Sequence, residues 1–255
     1  MALVGRVRES FGMLKGGPYQ VYENLFKIVY HAAKQVDFPE VEENPLLYDI
    51  VQDCKAFIIT LNKVVKEVGI DSINLLYEAI SRLEEIAPSH VVLCDALSLP
   101  EYLYIAHVFR QWVEDDLALC ALNLSGKTST FKFLAQHRLN LQTSDDEEVV
   151  MRDVGEGLRR IYSAIDFRLF SGIDRLVHSM EASDIREMTN AIFHSFLEPK
   201  LLPHLKRLLD AKRTTLVIAD HGYDLHYHGD KWHLIHGYGI SDFCLSPLIP
   251  IIVIG

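Results

Sequence analysis

The stretch TTLVIADHG, residues 214–222, decides the fold class of this chain. Its apolar core, Leu-Val-Ile-Ala, is uninterrupted, which is typical of a strand that is buried on both faces of a parallel sheet. Asp220 and His221 follow the apolar run directly, and Gly222 closes the stretch. Ligands of open parallel sheets collect beyond the carboxyl ends of the strands. The stretch therefore predicts both a buried sheet and a functional edge of that sheet.

Further short apolar runs extend this pattern along the chain. We predict a strand at residues 91–94 that ends at Asp95, and strands at residues 117–123, 159–166 and 248–254. A long helix is predicted at residues 184–211. Strands that alternate with helices predict an α/β fold, with a mostly parallel central sheet and helices on both faces. Three of the strands end in a carboxylate: Asp95, Asp166 and Asp220.

The first 88 residues follow a different pattern. Apolar residues recur at helical spacing through residues 20–88, with helices predicted at about 45–68 and from Asp71 or Ser72 to Ile86. Pro88 stops the last of these helices, because the residue before a proline avoids the helical conformation. We therefore expect a helical N-terminal segment at residues 1–88 and a catalytic domain at residues 89–255. Such amphipathic helices are usually core, and this segment is also a possible docking site for a protein partner.

Composition narrows the class of protein. The 255 residues carry a formal net charge of −10 and dispersed basic residues, which argues against a surface that coats duplex nucleic acid. The longest apolar stretch, residues 247–255, is too short to span a bilayer, and the N-terminus lacks the apolar core of a secretory signal. The four cysteines form no C-x-x-C pair, which favours free thiols over disulfides. We expect a cytoplasmic protein that does not enter the membrane.

Histidine is concentrated near the end of the chain. Five of the twelve histidines fall within residues 221–236, namely His221, His226, His228, His233 and His236. Clusters of imidazoles and carboxylates suit zinc, manganese or iron better than calcium. The alternative is a polar surface loop that happens to be rich in histidine. The clustering nevertheless favours a metal site.

Two further groups of residues could contribute to such a site. Asp174 and His178 stand four positions apart, so a helix or tight turn would place both side chains on one face. The alternative is an ordinary solvent-exposed pair on a helix. Hydroxyl residues are clustered in SGKTST, residues 125–130, where at least one is expected to cap the following helix. Ser98 is interpreted as the cap of a helix that begins at Pro100.

Taken in this order, these segments resemble the alkaline phosphatase superfamily, and within it the PglZ family. VVLCDAL resembles the first strand with its metal-binding aspartate, and GKTSTFKFL resembles the segment that carries the nucleophile. IDRLVHS resembles the Asp-x-x-x-His pair, LVIADHGYD the Asp-His-Gly strand end, and WHLIHGYG the segment with the last ligand histidine. The ligand spacing is also similar to that of cofactor-independent phosphoglycerate mutases and nucleotide pyrophosphatase/phosphodiesterases. The resemblance covers residues 89–255.

The resemblance implies a centre with two divalent metal ions, zinc or manganese, with magnesium as a further possibility. By the pattern of the superfamily, one ion would be held by Asp95, Asp220 and His221. The other would be held by Asp174, His178 and His236.

The resemblance also implies roles for residues around the metals. Thr130 is the first choice for the nucleophile because it precedes a phenylalanine, as in the diesterases, and Thr128 is the second choice. His228 and His233 are expected to bind the substrate. Asp166 is interpreted either as a hydrogen-bond partner of a metal-bound histidine or as a solvated strand end.

The implied function is a metal-dependent phosphoester hydrolase or phosphotransferase that works through a threonine or serine phospho-enzyme. Its substrate would be a phosphorylated small molecule or a phosphodiester. A second interpretation is a non-catalytic PglZ-like interaction module that retains a structural metal site. A sulfatase is the third interpretation, but the chain lacks the C/S-x-P-x-R sequence that this activity requires.

Overall fold

The structure is a computed structural model that describes Asn24, Lys27 and residues 72–113, 118–123, 125–139, 146–237 and 247–255. The helices predicted before residue 72 lie outside these described residues. Within them, the chain is a mixed α/β protein with one five-stranded and one three-stranded sheet. None of the described helices combines the length and the apolar character that crossing a membrane requires.

The described elements are, in chain order, α1 (Ser72–Glu84), β1 (His90–Cys94), α2 (Leu99–Val108), β2 (Ala118–Leu122), α3 (Thr128–Leu139), α4 (Glu147–Ile161), β3 (Asp166–Phe170), α5 (Gly172–Val177), β4 (Glu181–Ala182), α6 (Ile185–Ile192), a π-helical segment (Phe193–Leu201), α7 (Leu202–Asp210), β5 (Thr215–Ala219), β6 (Asp224–His228), β7 (Lys231–Ile235) and β8 (Leu248–Ile254). The large sheet has the strand order β2–β8–β5–β1–β3. β1 runs parallel to β3 and β5, whereas β8 runs antiparallel to β5 and β2. The prediction of a mostly parallel sheet is therefore confirmed, with β8 as its antiparallel member.

Two apolar cores lie on opposite faces of this sheet. Along β5, Val217 and Ala219 belong to the core that is covered by α2, α6 and α7. Leu216 and Ile218 belong to the core that is covered by α1, α3 and α4. Because each strand is buried on both sides, its sequence is a continuous apolar run rather than an alternating one. Residues 72–84, in α1, thus pack as an outer layer on the sheet.

The strand predicted at residues 159–166 is wrong. Residues up to Ile161 belong to α4, and the helical path ends at Ser163, whose φ is 51°. The strand is Asp166–Phe170 instead, so Asp166 begins it and pairs with His90 at the amino end of β1. Asp166 therefore lies at the end of the strands opposite to the candidate site, and its expected role beside a metal-bound histidine is also wrong. Short apolar runs of this kind do not distinguish helix from strand by periodicity alone.

The long helix predicted at residues 184–211 is confirmed in extent. Asp184 caps it by accepting a hydrogen bond from the backbone N–H of Arg186 at 2.8 Å. Its central part is the π-helical segment, which contains Pro199. Proline has no N–H for the α-helical hydrogen-bond ladder, so a local change of helix type is expected there.

The three-stranded sheet, in the order β4–β7–β6, is not predicted by the sequence analysis. β6 and β7 form a hairpin whose two turn residues, Gly229 and Asp230, have φ values of 60° and 64°. Two successive positive φ values are the mark of the type I′ turn that connects two-residue hairpins. The hairpin carries most of the histidine cluster and delivers His236 directly after β7.

Candidate metal centre

The polar residues of the site follow neighbouring strands at one edge of the large sheet. Asp95 follows β1, and Asp220 and His221 follow β5. Because β1 and β5 are adjacent and parallel, these side chains leave the sheet side by side. Asp220 and His221 are both 0% exposed, so their polar atoms depend on partners within the protein.

We call Asp95, Asp220 and His221 the Asp220 group. Each residue offers one ligand atom, and these atoms all lie within 4.8 Å of one another. Nε2 of His221 lies 3.3 Å from Oδ2 of Asp220 and 3.8 Å from Oδ1 of Asp95. The other ring nitrogen, Nδ1, lies 2.8 Å from the carbonyl oxygen of Gly222, so it donates there. That leaves Nε2 to face the two carboxylates as a lone-pair donor to a cation.

Thr128 belongs to the same arrangement. It is the first residue of α3 and is only 4% exposed. Its Oγ1 donates a hydrogen bond to Oδ2 of Asp220 at 2.7 Å and lies 3.3 Å from Nε2 of His221. The second carboxylate oxygen of Asp220 accepts a bond of 3.2 Å from the backbone N–H of Ala96. The Asp220 carboxylate therefore joins the start of α3 to the loop that follows β1.

We call Asp174, His178 and His236 the Asp174 group. The short helix α5 places Asp174 in its first turn, and His178 caps its carboxyl end, so the spacing of four residues brings the two side chains together. Nε2 of His178 lies 3.3 Å from Oδ1 of Asp174, and Nε2 of His236 lies 3.4 Å from the same oxygen. The side chain of His178 is 62% exposed, so this part of the site is open to solvent.

The geometry of the Asp174 group fits a divalent cation. The two Nε2 atoms of His178 and His236 lie 3.2 Å apart and converge on one carboxylate oxygen. Nδ1 of His236 lies 3.1 Å from the carbonyl oxygen of Gly126, which it can only meet as a donor. Histidines that bind metals usually donate their second ring nitrogen in this way. Two imidazole nitrogens with a carboxylate oxygen form a ligand set that suits zinc or manganese.

The two groups form one continuous centre. The rings of His221 and His236 are stacked, with centroids 4.6 Å apart and an interplanar angle of 27°. The ligand atoms of Asp174, His221 and His236 also lie within 4.8 Å of one another. The six residues for which the sequence predicts metal binding are thus brought together at one edge of the sheet.

Charge is coupled within the Asp174 group. Partial burial raises the pKa of Asp174, but the hydrogen bond with His236 and the nearby imidazoles outweigh burial, so the net pKa lies below its usual value. The hydrogen bond with Asp174 raises the pKa of His236 against the opposing effect of burial. These shifts favour a protonated His236 beside an ionised Asp174. A cation that binds here must displace that proton.

The other residues with predicted roles have different surroundings. Oγ1 of Thr130 lies 2.6 Å from Oγ of Ser125, and this is its hydrogen-bond partner. His228 is exposed at the end of β6, and His233 on β7 approaches Glu181 at 3.9 Å. Among the described residues, no contact joins either of these histidines to the two metal-ligand groups. Of the two threonines, Thr128 therefore contacts the proposed metal ligands, whereas Thr130 bonds to Ser125.

A buried pair, Tyr223 and Glu101, is not predicted from the sequence. The hydroxyl of Tyr223 donates to Oε1 of Glu101 at 2.5 Å, while Oε2 of Glu101 accepts from the backbone N–H of Ser98 at 3.1 Å. This pair joins the first turn of α2 to the loop after β5. Burial raises the pKa of Glu101 to about 7, although both hydrogen bonds favour the charged form. The Ser-x-x-Glu spacing before an apolar run is a capping signal that could have identified Glu101.

A second missed residue is Asn123, which follows β2 at the same edge as the ligands and is 0% exposed. A polar residue directly after an apolar run was the available signal, because buried side-chain amides need hydrogen-bond partners. Ser98 precedes α2, which begins at Leu99, one residue earlier than predicted.

Comparison with known proteins finds no protein-family model that matches this chain and no curated protein that is significantly similar to it.

Proposed function

We propose that this chain is a phosphoester hydrolase or phosphotransferase that depends on two divalent metal ions and uses Thr128 as its nucleophile. The proposal follows the resemblance to the PglZ-like members of the alkaline phosphatase superfamily. One observation carries it: Oγ1 of Thr128 lies 2.7 Å from Oδ2 of Asp220 and 3.3 Å from Nε2 of His221. A hydroxyl group thus stands among the atoms best suited to bind a cation.

The position of Thr128 in α3 supports it over Thr130 as the nucleophile. Successive residues of an α-helix are rotated by about 100°, so two residues that are two positions apart point in nearly opposite directions. Thr128 points to Asp220, and Thr130 pairs with Ser125. Only one of the two threonines can therefore serve this centre.

The residues of the chain can bind the substrate and move the proton. The N–H groups of Thr130 and Phe131 donate to the carbonyl oxygen of Lys127, which leaves those of Thr128 and Ser129 at the start of α3 to hold phosphate oxygens. Oγ1 of Thr128 attacks phosphorus, and its proton passes to Oδ2 of Asp220, to which it is already hydrogen-bonded. The bond between phosphorus and the leaving oxygen breaks in the same displacement, and that oxygen departs with the bonding electron pair. Water or an acceptor hydroxyl then takes the phosphoryl group from Thr128, and Oδ2 of Asp220 returns the proton to Oγ1. When bound, two divalent cations would stabilise the attacking and leaving oxygens and favour the ionised hydroxyl.

The ligand sets suggest which residues would hold the cations. The Asp220 group lies beside Thr128 and would hold the ion nearer the nucleophile. The Asp174 group lies on the solvent side, where the exposed ring of His178 leaves access for a substrate. Donors of nitrogen and carboxylate oxygen favour zinc or manganese, with magnesium as the weaker choice. We propose a phosphorylated small molecule or a phosphodiester as the substrate.

The test is hydrolysis of p-nitrophenyl phosphate and bis-p-nitrophenyl phosphate by the full chain, with zinc, manganese or magnesium added in turn. We expect turnover that requires metal and is abolished by a chelator. Metal content is measured in parallel on protein purified without chelators. Metal binding without hydrolysis or phosphoryl transfer from either ester would contradict the enzymatic proposal and favour a non-catalytic interaction module.

A further inference from the structure

The side-chain amide of Asn123 bonds to two separate segments of backbone at the edge of the sheet. The residue follows β2 directly and is fully buried. Its Nδ2 donates two hydrogen bonds, one of 2.8 Å to the carbonyl oxygen of Lys127 and one of 3.0 Å to the carbonyl oxygen of Asp220. The first acceptor directly precedes Thr128, and the second belongs to a proposed metal ligand that is 97 residues away in the chain.

The remaining polar atoms of Asn123 are also paired. Oδ1 lies 3.1 Å from Oγ of Ser125, and the backbone N–H donates to the carbonyl oxygen of Pro247 at 2.6 Å. The backbone carbonyl accepts from the N–H of Gly126 at 2.9 Å. Carbonyl oxygens can only accept, so these partners fix the orientation of the amide. Asn123 therefore connects the loop before α3 with the ends of β5 and β8.

From these contacts we infer that Asn123 is a positioning residue that sets the separation between Thr128 and Asp220. One planar amide holds the backbone on both sides of the 2.7 Å contact between Oγ1 and Oδ2. Asn123 does not touch the reacting atoms and acts through the backbone alone. This inference rests on the proposed function, because it assigns Asn123 a task within the same centre.

The network also explains why Thr130 is separate from the centre. Oγ of Ser125 lies 2.6 Å from Oγ1 of Thr130 and 3.1 Å from Oδ1 of Asn123. Ser125 thus braces Asn123 from the far side of the loop, whereas the hydroxyl of Thr130 bonds to Ser125 and not to the amide. Misplacing a reacting group by about 1 Å can cost on the order of 10²-fold in rate, so a rigid brace has a kinetic consequence.

The test compares Co²⁺ binding, followed by visible absorption, in two backgrounds of the full chain. Asp174→Asn disables the Asp174 group and leaves the Asp220 group, whereas Asp95→Asn does the reverse. Asn123→Ala is expected to weaken Co²⁺ binding about 10- to 100-fold in the first background and to leave it unchanged in the second. Equal effects in both backgrounds, or no effect in either, would overturn the inference.

Two variants separate positioning from simple filling of space. Asn123→Asp keeps the volume but loses both N–H donors, so it is expected to weaken binding as Asn123→Ala does; wild-type affinity would overturn the inference. Tyr162→Phe is the matched control, because it removes another buried bond, of 3.2 Å to the carbonyl oxygen of Ile80, within the core that α1 and α4 cover. It should lower the unfolding midpoint without changing Co²⁺ affinity. If both Asn123 variants fail to fold, Ser125→Ala replaces them, with an expected weakening of roughly fivefold at the Asp220 group, the equivalent of one hydrogen bond; unchanged affinity would overturn the inference.

Activity distinguishes this inference from the proposed function. With saturating metal, Asn123→Ala should lower kcat on p-nitrophenyl phosphate by about 10²-fold with little change in KM, because the nucleophile is misplaced while the substrate still binds. A wild-type chain that binds Co²⁺ but hydrolyses no ester would defeat the proposed function. The Co²⁺ titrations would still test whether Asn123 positions the Asp220 group. An active, metal-binding Asn123→Ala with wild-type kcat would defeat only the inference. A wild-type chain that binds no Co²⁺ would defeat both.

Discussion

Oγ1 of Thr128 donates a 2.7 Å hydrogen bond to Oδ2 of Asp220, across 92 residues of sequence and at the carboxyl edge of the large sheet. Both residues are buried, so this contact is shielded from bulk water. The carboxylate also accepts from the backbone of Ala96, which fixes the oxygen that faces Thr128. The contact combines a potential nucleophile with a potential metal ligand.

The first prediction concerns the hydroxyl of Thr128. Thr128→Val keeps the shape of the side chain but removes the oxygen, so we expect kcat on an aryl phosphate to fall on the order of 10³-fold or more. Thr128→Ser restores the oxygen and should retain much of the activity. Steady-state kinetics at saturating metal is the measurement.

Thr130→Val is the matched control for this prediction. It removes a hydroxyl of the same type from the same helix, and it breaks only the bond to Ser125. We expect a loss of about 1 kcal/mol in the free energy of unfolding and little change in kcat. A large loss of activity in Thr130→Val, with none in Thr128→Val, would restore the nucleophile that the sequence resemblance favours.

The second prediction concerns metal and stability. Only the folded chain presents the ligands together, so metal should raise the unfolding midpoint; at a free concentration of 100 times Kd, the gain is about 2.7 kcal/mol. Asp220→Asn and His221→Ala should remove most of the gain that the Asp220 group supplies and leave the metal-free fold largely intact. Thermal unfolding with chelator, zinc, manganese and magnesium tests this. If none of the ions shifts the unfolding midpoint of the wild-type chain, the proposed metal centre fails and the interaction module is the remaining interpretation.

The sequence indicates the main features of the sheet because burial on both faces leaves a direct trace in it. β5 and β8 are continuous apolar runs: β8 coincides with the predicted residues 248–254, and β5 occupies Thr215–Ala219 within the stretch 214–222. The strand before Asp166 could not be distinguished from the end of α4, since both are short apolar segments. The β6–β7 hairpin was missed because its strands are rich in histidine, although Gly229 and Asp230 carried a turn signal.

The metal ligands of the site were predictable because their chemistry selects the residue type. The nucleophile and the positioning residue were less predictable because tertiary contacts determine them. Asp220 and His221 stand out because they follow an apolar strand. The choice between Thr128 and Thr130 depends on the rotation of α3 about its axis, which the sequence does not determine to within one residue. The role of Asn123 depends on the carbonyl of Asp220, which is distant in the sequence, so no local pattern reveals it.

The third prediction concerns the pH dependence of metal binding. The hydrogen bond with Asp174 raises the pKa of His236 above its usual 6.5, so near neutral pH a cation must displace a proton. Metal affinity should therefore rise as the pH increases through this raised pKa. Without metal, the pair contributes its full stabilisation between the usual pKa values of the two groups, 3.8 and 6.5. This contribution is lost as the pH rises through the raised pKa of His236 or falls through the lowered pKa of Asp174.

Calorimetric titration in buffers of different ionisation enthalpy tests the third prediction, because it counts the protons released on binding. Asp174→Asn removes both a ligand of this group and the partner that raises the pKa of His236, so the protons that this group releases at neutral pH should no longer be counted. A metal affinity that stays constant from pH 6 to pH 8, about one pH unit on either side of neutrality, would contradict the assignment of His236 as a metal ligand.

The fourth prediction concerns Gly237, whose φ is +82°. An added Cβ would lie 2.8 Å from Cε of Lys127, a flexible side-chain atom that can move, so backbone strain dominates the cost. Gly237→Ala should cost about 1–2 kcal/mol of stability and should weaken metal binding, because Gly237 directly follows His236. Gly229→Ala is the control: its φ is +60° and an added Cβ meets nothing within 4 Å. It should cost similar stability with unchanged metal affinity, and equal metal affinity in both variants would contradict the prediction.

The last prediction concerns the buried carboxyl of Glu101. Burial raises its pKa from the usual 4.5 to about 7, so its contribution to stability is fully present below pH 4.5 and is lost as the pH rises through 7. At 1.36 kcal/mol per pH unit, this amounts to roughly 3 kcal/mol. Glu101→Gln has one acceptor oxygen, so it keeps the hydrogen bond from Tyr223 but loses the one from the N–H of Ser98, and it should be less stable than wild type at low pH. Because the amide cannot ionise, the variant should be more stable than wild type at high pH. Urea unfolding at pH 5 and pH 8 measures the crossing, with the exposed Glu187→Gln as the control. Parallel stability curves for wild type and Glu101→Gln would show that the carboxyl does not titrate in this range.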